Sequence, residues 1–129
     1  MNNDTEKRLN LLVVDDSAMM RAMIKRAAGL ANVPIGTVYE AANGEEALRL
    51  LESRSIDALF TDINMPVMTG MELLAALDQQ DRWKDLLRVI ISTDGSDARR
   101  ERAGQLRACQ YVEKPFKPEA IRDVLVTLL

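Results

Sequence analysis

Asp15 and Asp16 follow the apolar run Leu11-Leu12-Val13-Val14, Asp62 closes Ile56-Asp57-Ala58-Leu59-Phe60-Thr61, and Lys114 follows Tyr111-Val112-Glu113. Acids and a base, each placed where an apolar run stops, could together handle one phosphoryl group. In an open parallel sheet, ligands bind in the loops beyond the carboxyl ends of the strands, so residues far apart in sequence converge there. Carboxylates gathered at one spot repel, by about 3 kcal/mol per pair at 5 Å and an effective dielectric near 20. Such a cluster persists only with a cation among the acids. The sequence suggests two, a bound divalent ion and Lys114.

The elements that would carry these residues alternate between strand-like apolar runs and segments of helical period, the pattern of βα units around a parallel sheet. Strands are predicted near 10–15, 36–41, 56–61, 88–92 and 109–113, and helices near 17–31, 44–53, 70–80, 97–107 and 118–129. The first, third and fourth strands are nearly continuous in apolar character, as strands covered on both faces are. Asn43-Gly44-Glu45-Glu46 carries a capping residue with Glu three positions on. Pro118 suits a first helical turn, and Ile121, Val124, Leu125 and Leu128 recur at helical spacing behind it. The 97–107 segment has four arginines, Gly104 and one large apolar residue, Leu106. A single domain at 10–129, preceded by a polar extension at 1–9, accounts for the whole pattern.

Composition removes several functions. The chain has no histidine, which excludes His-based acid–base chemistry, Ser-His or Cys-His nucleophiles and imidazole-dependent zinc sites. A histidine that carries phosphate must belong to another protein. A net charge of −3 argues against nucleic acid as a direct partner. One cysteine, Cys109, leaves no intramolecular disulfide and fits a reducing compartment. The polar start lacks the apolar stretch of a secretory signal, and no run reaches membrane-spanning length, so the expected place is the cytoplasm, away from the membrane.

Each feature also has a plainer reading. An Asp pair after a strand can cap the next helix. Asp62 can open the turn formed by Asn64-Met65-Pro66-Val67-Met68-Thr69-Gly70. Lys114 can be a solvated surface residue, and Ser92 and Thr93 can satisfy nearby backbone. None of these explains why all fall at strand ends.

Taken together, Leu11-Leu12-Val13-Val14-Asp15-Asp16-Ser17, Asp62-Ile63-Asn64-Met65-Pro66-Val67-Met68-Thr69-Gly70, Ser92-Thr93 and Lys114-Pro115-Phe116 resemble the receiver domain of two-component response regulators, in its stand-alone chemotaxis-type form. The resemblance runs from about Leu11 to Leu129. It implies a flavodoxin-like α/β fold, a doubly wound (βα)5 sandwich around a five-stranded parallel sheet of order 2-1-3-4-5, the strand order of chemotaxis receivers. Asp62 would accept the phosphoryl group as an acyl phosphate. Asp16 would ligate Mg²⁺ directly, Asp15 through water, Asp62 through a carboxylate oxygen and Asn64 through its backbone carbonyl. Lys114 would pair with a phosphoryl oxygen, and the peptide after it would be cis. Ser92 lies thirty residues after Asp62 and twenty-two before Lys114, the family's spacing for the switch hydroxyl, with Thr93 the adjacent competitor. Tyr111 matches the aromatic that swings inward on activation; at rest it would be a partly buried strand residue with a wet hydroxyl.

The implied function is a phospho-accepting switch. A sensor histidine kinase or phosphotransfer protein would load it, and the surface of the 97–107 helix, the last strand and the last helix would pass the signal on. Asn64 and Asp94, each two residues beyond a site residue, would tune water access to the phosphoryl group. Arg107 stands where the family usually has a helix-terminating Gly. Three other functions fit less well. An aspartate-nucleophile phosphohydrolase usually carries a second Asp two residues on, where this chain has Asn64. A nucleotide or flavin binder would not place Asp15-Asp16 in its phosphate loop. A DNA-binding regulator built on the arginine-rich segment is opposed by the acidic charge.

Overall fold

A computed structural model of the chain describes residues 8–93 and 109–129. The described elements are β1 (Leu9–Val14), α1 (Ala18–Gly29), β2 (Ile35–Ala41), α2 (Gly44–Ser53), β3 (Ala58–Thr61), α3 (Gly70–Asp78), β4 (Leu87–Ser92), β5 (Cys109–Glu113) and α4 (Pro118–Leu125). Short 3₁₀ turns cover Asp81–Trp83 and Val126–Leu128. All strand pairings are parallel, and the sheet order is β2-β1-β3-β4-β5. The fold expectation is met. The helix predicted at 97–107, with Arg107 and Asp94, lies outside the described residues.

Strand geometry sends alternate side chains to opposite faces, and here both faces are covered. Leu11, Val13, Phe60, Val89 and Ile91 pack on Ile24, Ala27 and Ala28 of α1 and on Ile121, Val124 and Leu125 of α4. Leu12, Val14, Leu59 and Ile90 pack on Ala47 and Leu51 of α2 and on Leu73, Leu74 and Leu77 of α3. The continuous apolar runs are thus two interleaved rows, one for each layer.

Boundaries differ from the expected ones where local hydrogen bonds intervene. β3 begins at Ala58 because Asp57 is engaged otherwise: its N–H donates to Asn10 O at 2.8 Å, and its carboxylate accepts Asn10 N–H at 2.8 Å. Ser17 lies outside α1 as its N-cap, accepting the Met20 N–H at 3.2 Å. Behind the other end of α1, Asn32 takes a left-handed conformation, φ 59°, which Asn tolerates well. The last helix ends at Leu125, and the chain tightens into the 3₁₀ turn over 126–128.

Among the described residues the most deeply buried charged side chain is that of Arg88. Arg88 of β4 pairs with Asp78 at the end of α3 and donates to Trp83 O at 2.7 Å, while Arg82 stands 4.6 Å over the Trp83 ring. Removing one partner of a buried pair leaves a desolvated charge and is costlier than replacing the charge by an apolar residue of similar volume. Asp78→Ala should therefore destabilise the protein by about 3 kcal/mol in urea unfolding, and Arg88→Met by clearly less.

Candidate functional site

Asp15, Asp62 and Lys114 are each the first residue past a strand, and each continues that strand's ladder by one hydrogen bond. Asp15 N–H donates to Ala41 O at 3.1 Å, Asp62 N–H to Val14 O at 3.0 Å, and Lys114 N–H to Ser92 O at 2.9 Å. The sheet therefore fixes the backbone of all three before any side chain interacts. Their side chains meet: the Lys114 ammonium lies 3.1 Å from Asp15 Oδ2 and 3.6 Å from Asp62 Oδ2. Oxygens of Asp15, Asp16 and Asp62 all lie within 4.8 Å of one another.

The three acids sit in different surroundings. Asp15 is buried, and its Oδ1 accepts the Ser17 N–H at 2.9 Å. Asp16 is exposed to solvent. Asp62 is partly buried, and its Oδ1 accepts the Ile63 N–H at 2.7 Å. Burial pushes the Asp62 carboxyl above its ordinary pKa and the Asp15 charge adds to that, while the Ile63 N–H and the Lys114 ammonium oppose the rise. The helix cap that an Asp pair could have supplied comes instead from Ser17.

Close packing holds the loop after Asp62. Thr61 Oγ1 donates to Asp62 O at 2.9 Å, and Gly70 N–H donates to Ile63 O at 2.9 Å. A Cβ on Gly70 would lie 2.0 Å from Asp62 O, so no other residue fits without moving the Asp62 backbone. Val67 is held at φ 68° in a tight turn closed by Met68 N–H to Pro66 O at 2.7 Å. For an exposed β-branched residue this is a strained backbone state. Thr69 and Glu72 form a reciprocal capping box that starts α3, and the Thr69 donors hold the Glu72 carboxyl below its usual range. Asn64 is exposed on this loop, two residues past Asp62.

Ser92, the last residue of β4, is buried, and Thr93 is exposed in the turn that follows. Thr93 lines an apolar recess with Met20, Met23, Lys114, Pro115 and Phe116. The Lys114–Pro115 peptide is cis. Tyr111 is half-buried on the α2–α3 side of the sheet, and its hydroxyl is buried rather than wet. Packing of β5 against that core layer takes the ring oxygen out of solvent. Sequence reasoning missed Arg21 in the first turns of α1. Its Nη1 donates to Asp15 O at 2.6 Å and its Nε to Glu40 Oε1 at 2.9 Å.

The donor set fits a magnesium ion. Three carboxylates converge with only hard oxygen donors, and the exposure of Asp16 leaves room for the waters that Mg²⁺ retains.

Residues 11–126 match the family model described as "Response regulator receiver domain". The chain is 34% identical over 122 residues to a Campylobacter jejuni "Chemotaxis protein CheY homolog", covering 94% of this chain and 92% of that protein. It is also 34% identical to Helicobacter pylori "Chemotaxis protein CheY1", covering 94% and 97% of the two chains. Among solved structures, the Vibrio cholerae chemotaxis response regulator CheY4 superposes with a TM-score of 0.82 at 31% identity, over 95% of this chain and 100% of that one.

The raised Asp62 pKa has a definite pH signature. A carboxyl whose folded pKa lies above its unfolded value binds its proton more tightly in the native state. It therefore lowers stability as pH rises from the ordinary aspartate value of 3.8 through the elevated folded one. In EDTA, Asp62→Asn should melt above wild type at pH 7, and the gap should close toward pH 3.5. Thermal unfolding across that range checks it.

Proposed function

Because the chain belongs to the response regulator receiver family, a family of phospho-accepting signalling switches, we propose that Asp62 is its phosphoacceptor and that a histidine kinase or phosphotransfer protein is its donor. The contact that carries this reading is the Lys114 ammonium, 3.1 Å from Asp15 and 3.6 Å from Asp62, beside three converging carboxylates. No other group of three or more His, Cys, Asp or Glu side chains comes within ligand distance among the described residues. In this reading the receiver domain spans 10–129, after a polar extension at 1–9.

In the transfer step an Asp62 oxygen attacks phosphorus. The bond to the donor's imidazole nitrogen breaks, that nitrogen keeps the electron pair, and an acyl phosphate forms on Asp62. Asp15, Asp16, Asp62 and the Asn64 carbonyl would hold Mg²⁺, which when bound supplies positive charge to the phosphoryl oxygens. Lys114, beside Asp15 and Asp62, supplies the second positive charge and pairs with a phosphoryl oxygen. The raised Asp62 pKa marks the cost of a bare carboxylate here, a cost that the added cation offsets.

The response follows from the new charge. Ser92, with Thr93 as the adjacent candidate, donates its hydroxyl to a phosphoryl oxygen, and Tyr111 moves into the space vacated. The surface of β5, α4 and the 97–107 segment thereby changes toward a downstream protein, as a local charge biases a two-state element. The protein catalyses its own phosphorylation and dephosphorylation and turns over no other substrate. It acts in the cytoplasm, without direct contact to nucleic acid or membrane. Among the described residues no helix is long and apolar enough to cross a bilayer.

Incubation with Mg²⁺ and a small acyl phosphate, followed by intact-mass measurement, should add one phosphoryl group to the wild type. EDTA should abolish the gain and Asp62→Asn should show none. An undiminished gain in Asp62→Asn would refute the assignment.

A further inference from the structure

Asp16 is the exposed acid of the cluster, and its carboxylate accepts no hydrogen bond from any described residue. Among the described residues only its backbone, through the peptide plane that joins it to Asp15, fixes the direction in which the Asp16 side chain leaves the chain. The carbonyl of that peptide, Asp15 O, accepts a short hydrogen bond from Arg21 Nη1 at 2.6 Å. The same guanidinium donates through Nε to Glu40 Oε1 at 2.9 Å, and Glu40 is held on its other oxygen by Lys25 Nζ at 3.0 Å. Glu40 belongs to β2, where it pairs in register with Val13, two residues before Asp15. Arg21 also lies one helical turn past the α1 cap, its N–H bonded to Ser17 O at 3.1 Å. Arg21 thus braces the peptide between two aspartates against both α1 and the neighbouring strand.

We propose that Arg21 is a positioning residue for the cation site, holding the Asp15–Asp16 peptide so that Asp16 is preset toward Asp62. The proposal deepens the reading of the site as a magnesium-dependent phosphoacceptor and rests on it. A guanidinium suits the task because its planar fork donates along two directions at once, here to a carbonyl and to a carboxylate. A lysine has one point of attachment and cannot make both contacts with the same geometry. Groups that orient metal ligands from behind typically contribute 10- to 100-fold in metal affinity, roughly.

The sign of the effect separates this role from simple charge. Arg21 is a cation near a site for a cation, so if only Coulomb repulsion mattered, its loss would tighten Mg²⁺ binding. Positioning demands the reverse. Lys25 is the internal control: it shares Glu40 with Arg21 but does not touch Asp15.

Magnesium binding by isothermal titration calorimetry to wild type, Arg21→Met, Arg21→Lys and Lys25→Met tests the role. Arg21→Met should bind about 10-fold more weakly, with Arg21→Lys weakened in the same direction. Lys25→Met should stay within about 2-fold, since exposed pairs contribute little. The half-saturating magnesium concentration for phosphorylation by a small acyl phosphate should rise by the same factor in Arg21→Met, while the rate at saturating magnesium stays within about 2-fold of wild type. Circular dichroism checks folding, and if Arg21→Met does not fold, the comparison rests on Arg21→Lys, which keeps the charge. Equal or tighter binding in either Arg21 variant overturns the assignment, as does an equal loss in Lys25→Met. Wild type that takes up no magnesium overturns both this assignment and the function reading, whereas wild-type binding with unaffected variants overturns this one only.

Discussion

The Lys114 ammonium stands between Asp15 and Asp62, 3.1 Å from one and 3.6 Å from the other, in a pocket where Asp15 is shut off from water. Without that positive charge the carboxyl edge of the sheet would hold acids in mutual repulsion at reduced dielectric. Everything that positions the cluster brings these charges together and keeps them from separating. The ladder bonds of Asp15, Asp62 and Lys114 to neighbouring strands leave little freedom to swing apart. The sheet thereby concentrates acid at one end, and the last strand delivers the base that makes the concentration tolerable.

Much of this was legible in the chain because apolar runs and charged residues meet abruptly. A strand covered on both faces must be apolar throughout, so a charged residue just after it marks the exit from the core, and Asp15 and Asp62 are such residues. Side-chain contacts between elements were not legible. Arg21 reads as an ordinary helical arginine until the β1–β2 register sets Glu40 beside Val13 and within its reach. Arg88 opens a strand-like run, yet its partners Asp78 and Trp83 O come from the preceding helix end and turn, which no periodicity announces. β3 starts two residues later than the apolar pattern predicts because Asp57 is occupied with Asn10, a contact between residues forty-seven apart. The pattern also places the Tyr111 hydroxyl in water, but whether a strand residue's far end clears the core depends on the neighbouring layer, which only the fold supplies.

Charge is treated differently at the two ends of the sheet. Around Arg88 a buried cation pairs with Asp78 and donates to the Trp83 carbonyl. These contacts tie the end of α3 and the following turn to β4. At the acidic end the compensation is incomplete: Asp16 is open to solvent and Asp62 is held above its normal pKa.

Gly70 sits so near Asp62 that a single added carbon would fall 2.0 Å from the Asp62 carbonyl oxygen. The first turn of α3 therefore abuts the backbone of the proposed phosphoacceptor, with no slack between them. A small recoil of Asp62 along that line cannot be absorbed by side-chain adjustment, because glycine has none to give. Any shift of Asp62 toward α3 would press on the start of this helix, whose far end is held through Asp78 to Arg88. The acidic edge of the sheet and the buried pair at its opposite end thus lie at the two ends of a single helix.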